Sequence, residues 1–200
     1  MVDYRKQMKE WLESNRPFST AEVQSAGISR QTLVVLQRQG VIDRLCRGVY
    51  LASNANITEN LSLQIAALKV PSGVVCLLSA LRFHKFTTQL PQEIWLAVKQ
   101  QSRKPCMGSI ELRVIAMGQE TFHFGIEEHD VDGIKIRVYS AAKTVADCFK
   151  FRNKIGTDVA FEALREGYRL KLFSVSELMN AAKICRVSRI ITPYMESLFP

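Results

Sequence analysis

No apolar run in this chain approaches the ~20 residues needed to cross a bilayer, and the first residues lack the apolar core of a signal peptide. The expectation is a cytoplasmic protein without a membrane partner. There is no C-x-x-C pair. The five cysteines, Cys46, Cys76, Cys106, Cys148 and Cys185, are an odd number and lie far apart, which argues against a disulfide framework and for free thiols in a reducing compartment. Histidine is scarce: His84, His123 and His129 have no metal-ligand spacing to one another or to the cysteines, so no metal site is expected. The chain also lacks a G-x-x-x-x-G-K-[ST] phosphate loop and a G-x-S-x-G nucleophile turn. No cofactor and no catalytic set is expected, and the chain reads as a non-enzyme.

What is present is ordinary globular composition with an excess of positive charge. Two hundred residues with 47% hydrophobic and 23% charged side chains allow one large domain or two small ones. The net charge is +8, which makes an acidic partner such as nucleic acid a live possibility. The excess is localised. Residues 1–27 are neutral, residues 28–55 carry four arginines against one aspartate, residues 56–139 sum to +1, and residues 140–200 carry ten bases against six acids.

The first of these basic regions has a definite pattern. Val2–Glu13 reads as a helix with Met8, Trp11 and Leu12 on one side, stopped by "NRP". "FSTAEVQSAG" reads as a short second helix, with Ser19 and Glu22 at capping-box spacing, Phe18 stapling the entry and Gly27 ending it. A third helix begins near Ser29 and closes at Gly40. At about 100° per residue, Leu33 and Leu36 share one face while Arg30, Gln31, Val34 and Arg38 share the other. "VIDRL" and "GVYLA" then form a hairpin through Cys46-Arg47-Gly48, with Gly48 supplying the positive φ that a tight turn needs. Three helices and a two-stranded ribbon make a winged helix-turn-helix. "SNAN", residues 53–56, is a polar linker, which predicts a DNA-binding domain over 1–54 and a second domain over 57–200.

A winged helix offers one helix to the ~12 Å major groove and a hairpin to the flanking backbone. Arg30 and Gln31 have the chemistry for bidentate pairing with guanine and adenine edges. Ser29 and Thr32, at the positive end of the helix, suit phosphate oxygens. Arg38 would reach backbone, and Arg44 and Arg47 on the wing would each neutralise a phosphate. A solvated basic face, or a helix–hairpin module that docks protein, explains the same charge without DNA.

The second domain reads as mixed α/β with a helical C-terminal half, so the fold class is α+β. A helix over about Thr58–Val70 precedes a buried "VVCLL" strand that runs into a helix through "SALRFH". "EIWLAVK" reads as a strand and "QQSRKPCMG" as a loop. "IELRVIAM" alternates, with Ile110, Leu112, Val114 and Ala116 on one side. "GIEEHDVDGIKIRVYS" forms two strands around an Asp132-Gly133 turn. Helices follow over 142–152, 157–170, 175–185 and 188–198, with a capping box at Ser174 and Glu177 and with Pro193 kinking or restarting the last. Glu111 and Asp132 loosely resemble the acids of metal-dependent nucleases, but a turn and a charged strand explain them. Thr144 and Asp147 share a helix face near its start, as capping residues or a contact to a partner. The basic residues from Lys150 to Arg189 leave open an electropositive face on the C-terminal helices.

"GVIDRLCRGVYLAS" resembles the wing of the AbiEi antitoxin family of type IV toxin–antitoxin and phage-abortive systems, in which a G-x-[IL]-x-R-x-x-R-G-x-Y run ends the N-terminal winged helix. "LLSALRFHKFTTQLPQEIWLAV" and "VYSAAKTVADCFKFRNKIGTDVAFEAL", with its Thr-x-x-Asp helix, are similar to later segments of the same family, in the same order. The resemblance implies that the winged helix binds double-stranded operator DNA and represses its own operon. It also implies that the C-terminal domain counters a cognate nucleotidyltransferase-type toxin, with or without touching it. The DNA-contact role then falls on Arg30, Gln31, Arg44 and Arg47. One position departs: the family often has a basic residue where Val35 stands here. The alternative is a winged-helix regulator whose second domain senses a ligand or dimerises.

Overall fold

The computed structural model describes residues 4–86, 91–100 and 111–198. Their contacts divide into two compact units. The first holds the chain up to Ser72 together with the turn region Asp130–Ile136, and the second holds most of the remainder. The class is α+β, as the residue patterns predict.

The first unit opens with helix α1, Tyr4–Glu13, which buries Met8 and Trp11. Strand β1, Phe18–Ser19, leads directly into α2, Thr20–Ser25. Both halves of the expected capping box are made: the Ser19 hydroxyl accepts from the Glu22 amide at 3.1 Å, and the Glu22 carboxylate accepts from the Ser19 amide at 2.7 Å. Helix α3, Arg30–Arg38, starts at its Ser29 cap and is followed by Gly40 at φ +69°. Strands β2, Ile42–Cys46, and β3, Val49–Ala52, form the hairpin, with Ile42 opposite Ala52 and Arg44 opposite Tyr50. The sheet has three strands in the order β1-β3-β2, one more than the ribbon read from the residues. Two residues of β1 are too few to show the period-2 alternation that marks a strand. They pair with Val49 and Tyr50 because the α1–α2 connection lies along the ribbon.

Phe18 is the centre of this unit. It is fully buried, stacked on Trp11 at 5.5 Å and on Tyr50 at 6.2 Å, and packs with Val23, Ile28, Leu33 and Ile42. Burying an aromatic or branched side chain of this size contributes roughly 1.5–3 kcal/mol, so a unit this small rests on very few residues. Helix α4, Leu61–Lys69, also belongs to this unit and packs on β1 and β3.

Beyond α4 the chain forms a five-stranded sheet in the order β6-β5-β4-β8-β7, most of which belongs to the second unit, the segment Asp130–Ile136 being counted with the first. Its strands are β4 (Val74–Val75), β5 (Ile94–Lys99), β6 (Leu112–Met117), β7 (Ile126–Val131) and β8 (Ile134–Tyr139). The β7–β8 turn has Asp132 at φ +53° and Gly133 at φ +80°, the two positive angles of a tight hairpin turn. Strand β4 is antiparallel to β5 and parallel to β8, and β5 is parallel to β6. Strand β6 differs from expectation in its buried side. Ile115 and Met117 enter the core, while Ala116 is exposed and Leu112 and Val114 are half-buried. At a sheet edge a short alternating strand has apolar residues on both faces, and packing decides which face is covered. Ile110, Cys106 and nearly all of the "QQSRKPCMG" segment lie outside the described residues.

The helices of this unit are α5 (Leu77–Phe83), α6 (Gln119–His123), α7 (Ala141–Lys150), α8 (Arg152–Ile155), α9 (Thr157–Arg169), α10 (Val175–Cys185) and α11 (Ser188–Leu198). Pro193 lies inside a continuous α11. The α10 capping box of Ser174 and Glu177 is complete. Helix α7 is the hub, with α5, α9, α10 and α11 packed around it. Gly167 on α9 has no room for a side chain, since a Cβ there would lie 2.4 Å from the Phe173 ring. Among the described residues no helix is long and apolar enough to cross a membrane.

Candidate nucleic-acid interface

Ser29, Arg30, Gln31, Thr32, Arg38, Arg44 and Arg47 all lie in the first unit, on α3 or on the β2–β3 hairpin. Six of them are exposed and Thr32 is half-buried. The helix is held from behind: Leu33 is 2% exposed and Leu36 packs on the same core. With α3 anchored on that side, the face carrying Arg30, Gln31 and Arg38 is turned outward.

The hydrogen bonds of these residues are few and local. The Ser29 hydroxyl accepts from the Thr32 amide at 3.4 Å and lies 3.2 Å from the Thr32 hydroxyl. Ser29 thus caps the helix and occupies one of the amides that an anion at this end would otherwise meet. One guanidinium nitrogen of Arg30 donates to the Gln24 side-chain oxygen at 3.4 Å, a neutral partner that adds no counter-charge. Arg44 donates through Nε to the Cys46 carbonyl at 3.4 Å and is exposed. Asp43, the acid next to Arg44, is exposed and forms no ion pair among the described residues, and Glu22 is engaged by Arg16 at 3.0 Å.

The hairpin that carries Arg44 and Arg47 is fixed at its tip. The Gly48 carbonyl accepts from the Thr20 amide at 2.9 Å and the Thr20 hydroxyl at 3.3 Å. The Arg47 carbonyl accepts from the Lys69 ammonium of α4. Gly48 sits at φ +83°, as the turn requires. Cys46, a buried thiol at the end of β2, has its pKa raised by burial, against the opposing pull of Lys69 and Arg44. The site therefore places cations that form no ion pair among the described residues on an anchored helix and a tethered hairpin, the two elements by which a winged helix can meet groove and backbone.

Other residues singled out from the sequence have structural surroundings. Asp132 accepts a hydrogen bond from the Gln64 amide at 3.0 Å, and Asp130 accepts from the Gly133 amide at 2.8 Å. Asp130 thus closes the turn, while Asp132 ties it to α4. Glu111 is exposed. His84 donates from Nε2 to the Tyr139 carbonyl at 2.7 Å, and burial lowers its pKa. Thr144 and Asp147 are fully buried, so neither forms a surface contact. Thr144 donates to the Tyr139 carbonyl at 3.2 Å, and Asp147 forms an ion pair with Lys143, which is itself fully buried. Around that pair, Cys76, Cys148 and Cys185 are buried free thiols whose pKa values are raised by desolvation, that of Cys185 to about 12. Among the described residues no group of three or more His, Cys, Asp or Glu is placed to hold a metal.

The element order α1-β1-α2-α3-β2-β3, with a three-stranded sheet and an outward third helix, defines a winged helix-turn-helix. Residues 6–53 match the family described as "Transcriptional regulator, AbiEi antitoxin", a span that runs from within α1 to just beyond β3. Residues 6–53 of the first unit are thus similar to an antitoxin-type transcriptional-regulator domain. No curated protein matches the chain.

Proposed function

We infer that this chain is a non-enzymatic antitoxin of a type IV, phage-abortive toxin–antitoxin system, acting in the cytoplasm. Residues 1–54 bind double-stranded operator DNA and repress the chain's own operon. In this reading Arg30 and Gln31 meet base edges, while Ser29, Thr32, Arg38, Arg44 and Arg47 meet phosphates. Residues 57–200 counter a nucleotidyltransferase-type toxin. The observation that carries the reading is the exposed cation set on α3 and the wing, with no ion pair among the described residues, within a segment that matches an antitoxin regulator family. The similarity of later segments to the same family extends it to the second unit.

The test expresses the chain beside its neighbouring gene, with a reporter on the shared promoter. The full chain should repress the reporter and protect cells, and residues 57–200 alone should protect without repressing. A fragment that cannot protect would remove the division of labour. The ligand-sensing alternative would use the open depressions of the second unit, one of about 230 Å³ lined by Phe124, Ser140, Leu172, Phe173 and Glu177 and one of about 300 Å³ lined by Gly118, Glu120, Lys150 and Arg186, at or below the lower end of small-molecule site volumes.

A further inference from the structure

Two side chains on α3 are not explained by its attachment to the core. Val34 and Val35 are 48% and 50% exposed, whereas the buried ridge of the helix is Leu33 with Leu36. Valine is a poorer helix former than the Gln, Lys or Ala that usually fill a solvent face, and it leaves apolar surface in water. The positions are specific. At about 100° per residue, Val34 falls between Arg30 and Arg38, about 40° from each, and Val35 follows Gln31 by about 40°. Each valine therefore stands one turn below a long polar side chain of the first turn.

In the major groove the bases offer one apolar group, the C5-methyl of thymine. We propose that Val34 and Val35 are specificity-determining residues that pack on thymine methyl groups beside the purines met by Arg30 and Gln31. The inference rests on the DNA-binding reading above. Charge identifies the occupant: Arg30 and Arg38 flank Val34, and residues 28–55 hold four arginines against one aspartate. A ligand that pairs small apolar groups with dense negative charge fits that frame, and duplex DNA has both.

The experiment uses the full chain. Duplexes enriched from a random pool are resynthesised with deoxyuridine replacing each thymine in turn, which deletes the methyl and keeps the base pair. At one or two positions of the site, uracil should weaken binding about fourfold, the factor that one buried methyl-sized group is worth. Val34→Ala or Val35→Ala should lose affinity for the thymine duplex and bind the uracil duplex as the parent does. Sequence-selective binding that is indifferent to uracil at every position would overturn the inference and leave the DNA reading intact. Failure to enrich any duplex, with no salt-dependent binding, would remove the DNA reading itself. Alanine variants that keep full DNA selectivity but lose protection against the toxin would assign the valines to a protein partner and overturn the inference.

Discussion

Arg47 and Arg30 test different parts of the interface. Arg47 sits on a tethered turn whose backbone is already hydrogen-bonded, so its exposed side chain can be truncated without loosening the wing. Arg47→Ala should weaken binding to every sequence and flatten the slope of log K against log salt by about one, read from titrations at several salt concentrations. An unchanged slope would place the wing away from the backbone. Arg30, in the first turn of α3 and loosely tethered to Gln24, should behave otherwise. Arg30→Ala should cost about 1–3 kcal/mol on the preferred duplex and relax the preference at one base pair, which a single-position competition series would detect. The cap is where roles overlap. Ser29→Ala removes the hydroxyl that closes α3 and should lower thermal stability by about 1 kcal/mol as well as weaken DNA binding.

At the scale of elements, the legible parts were those with local causes. Both capping boxes, the Gly40 stop and the Asp132-Gly133 turn are short-range hydrogen-bond and dihedral effects, and the residue types state them directly. Strand β1 was not legible because its pairing with β3 is long-range. The interior of α7 was not legible for a related reason. Thr144 and Asp147 have the spacing of an exposed face, yet packing from several sides covers them. A signal existed: Ala141, Ala142, Val145, Ala146, Cys148 and Phe149 leave only three polar residues in the run 141–149, the mark of a helix buried all round. The cost of those polar residues is testable. Lys143→Met strands a buried carboxylate and should destabilise by about 3–5 kcal/mol, while the double variant Lys143→Met, Asp147→Leu should recover most of that, measured by urea unfolding. The pH dependence has a definite sign. Burial raises the Asp147 pKa and Lys143 opposes the rise. A raised carboxyl favours folding below its unfolded value near 4, and that contribution is lost as pH climbs through the folded-state pKa. Without Lys143 the rise is larger, so the deficit of Lys143→Met should shrink as pH is lowered.

For the whole molecule, the extent of the winged-helix unit matters most. The polar linker at 53–56 is visible in the sequence, but α4 lies beyond it and packs on β1 and β3. A fragment ending at Ser72 should therefore melt higher than one ending at residue 54 and bind DNA with the affinity of the full chain. Equal melting temperatures would show that α4 adds nothing to the winged helix. The α+β class and most element positions could be read from periodicity and turn residues. The five-stranded mixed sheet could not, because strand order follows from which apolar faces meet, and no local pattern records that.

The anchoring of the hairpin tip, by Thr20 from one side and Lys69 from the other, has a thermodynamic corollary. An arm that reaches the duplex already shaped loses little conformational freedom on docking. Calorimetry of the wild type should then show a small heat-capacity change, without the large signature of a segment that folds as it binds.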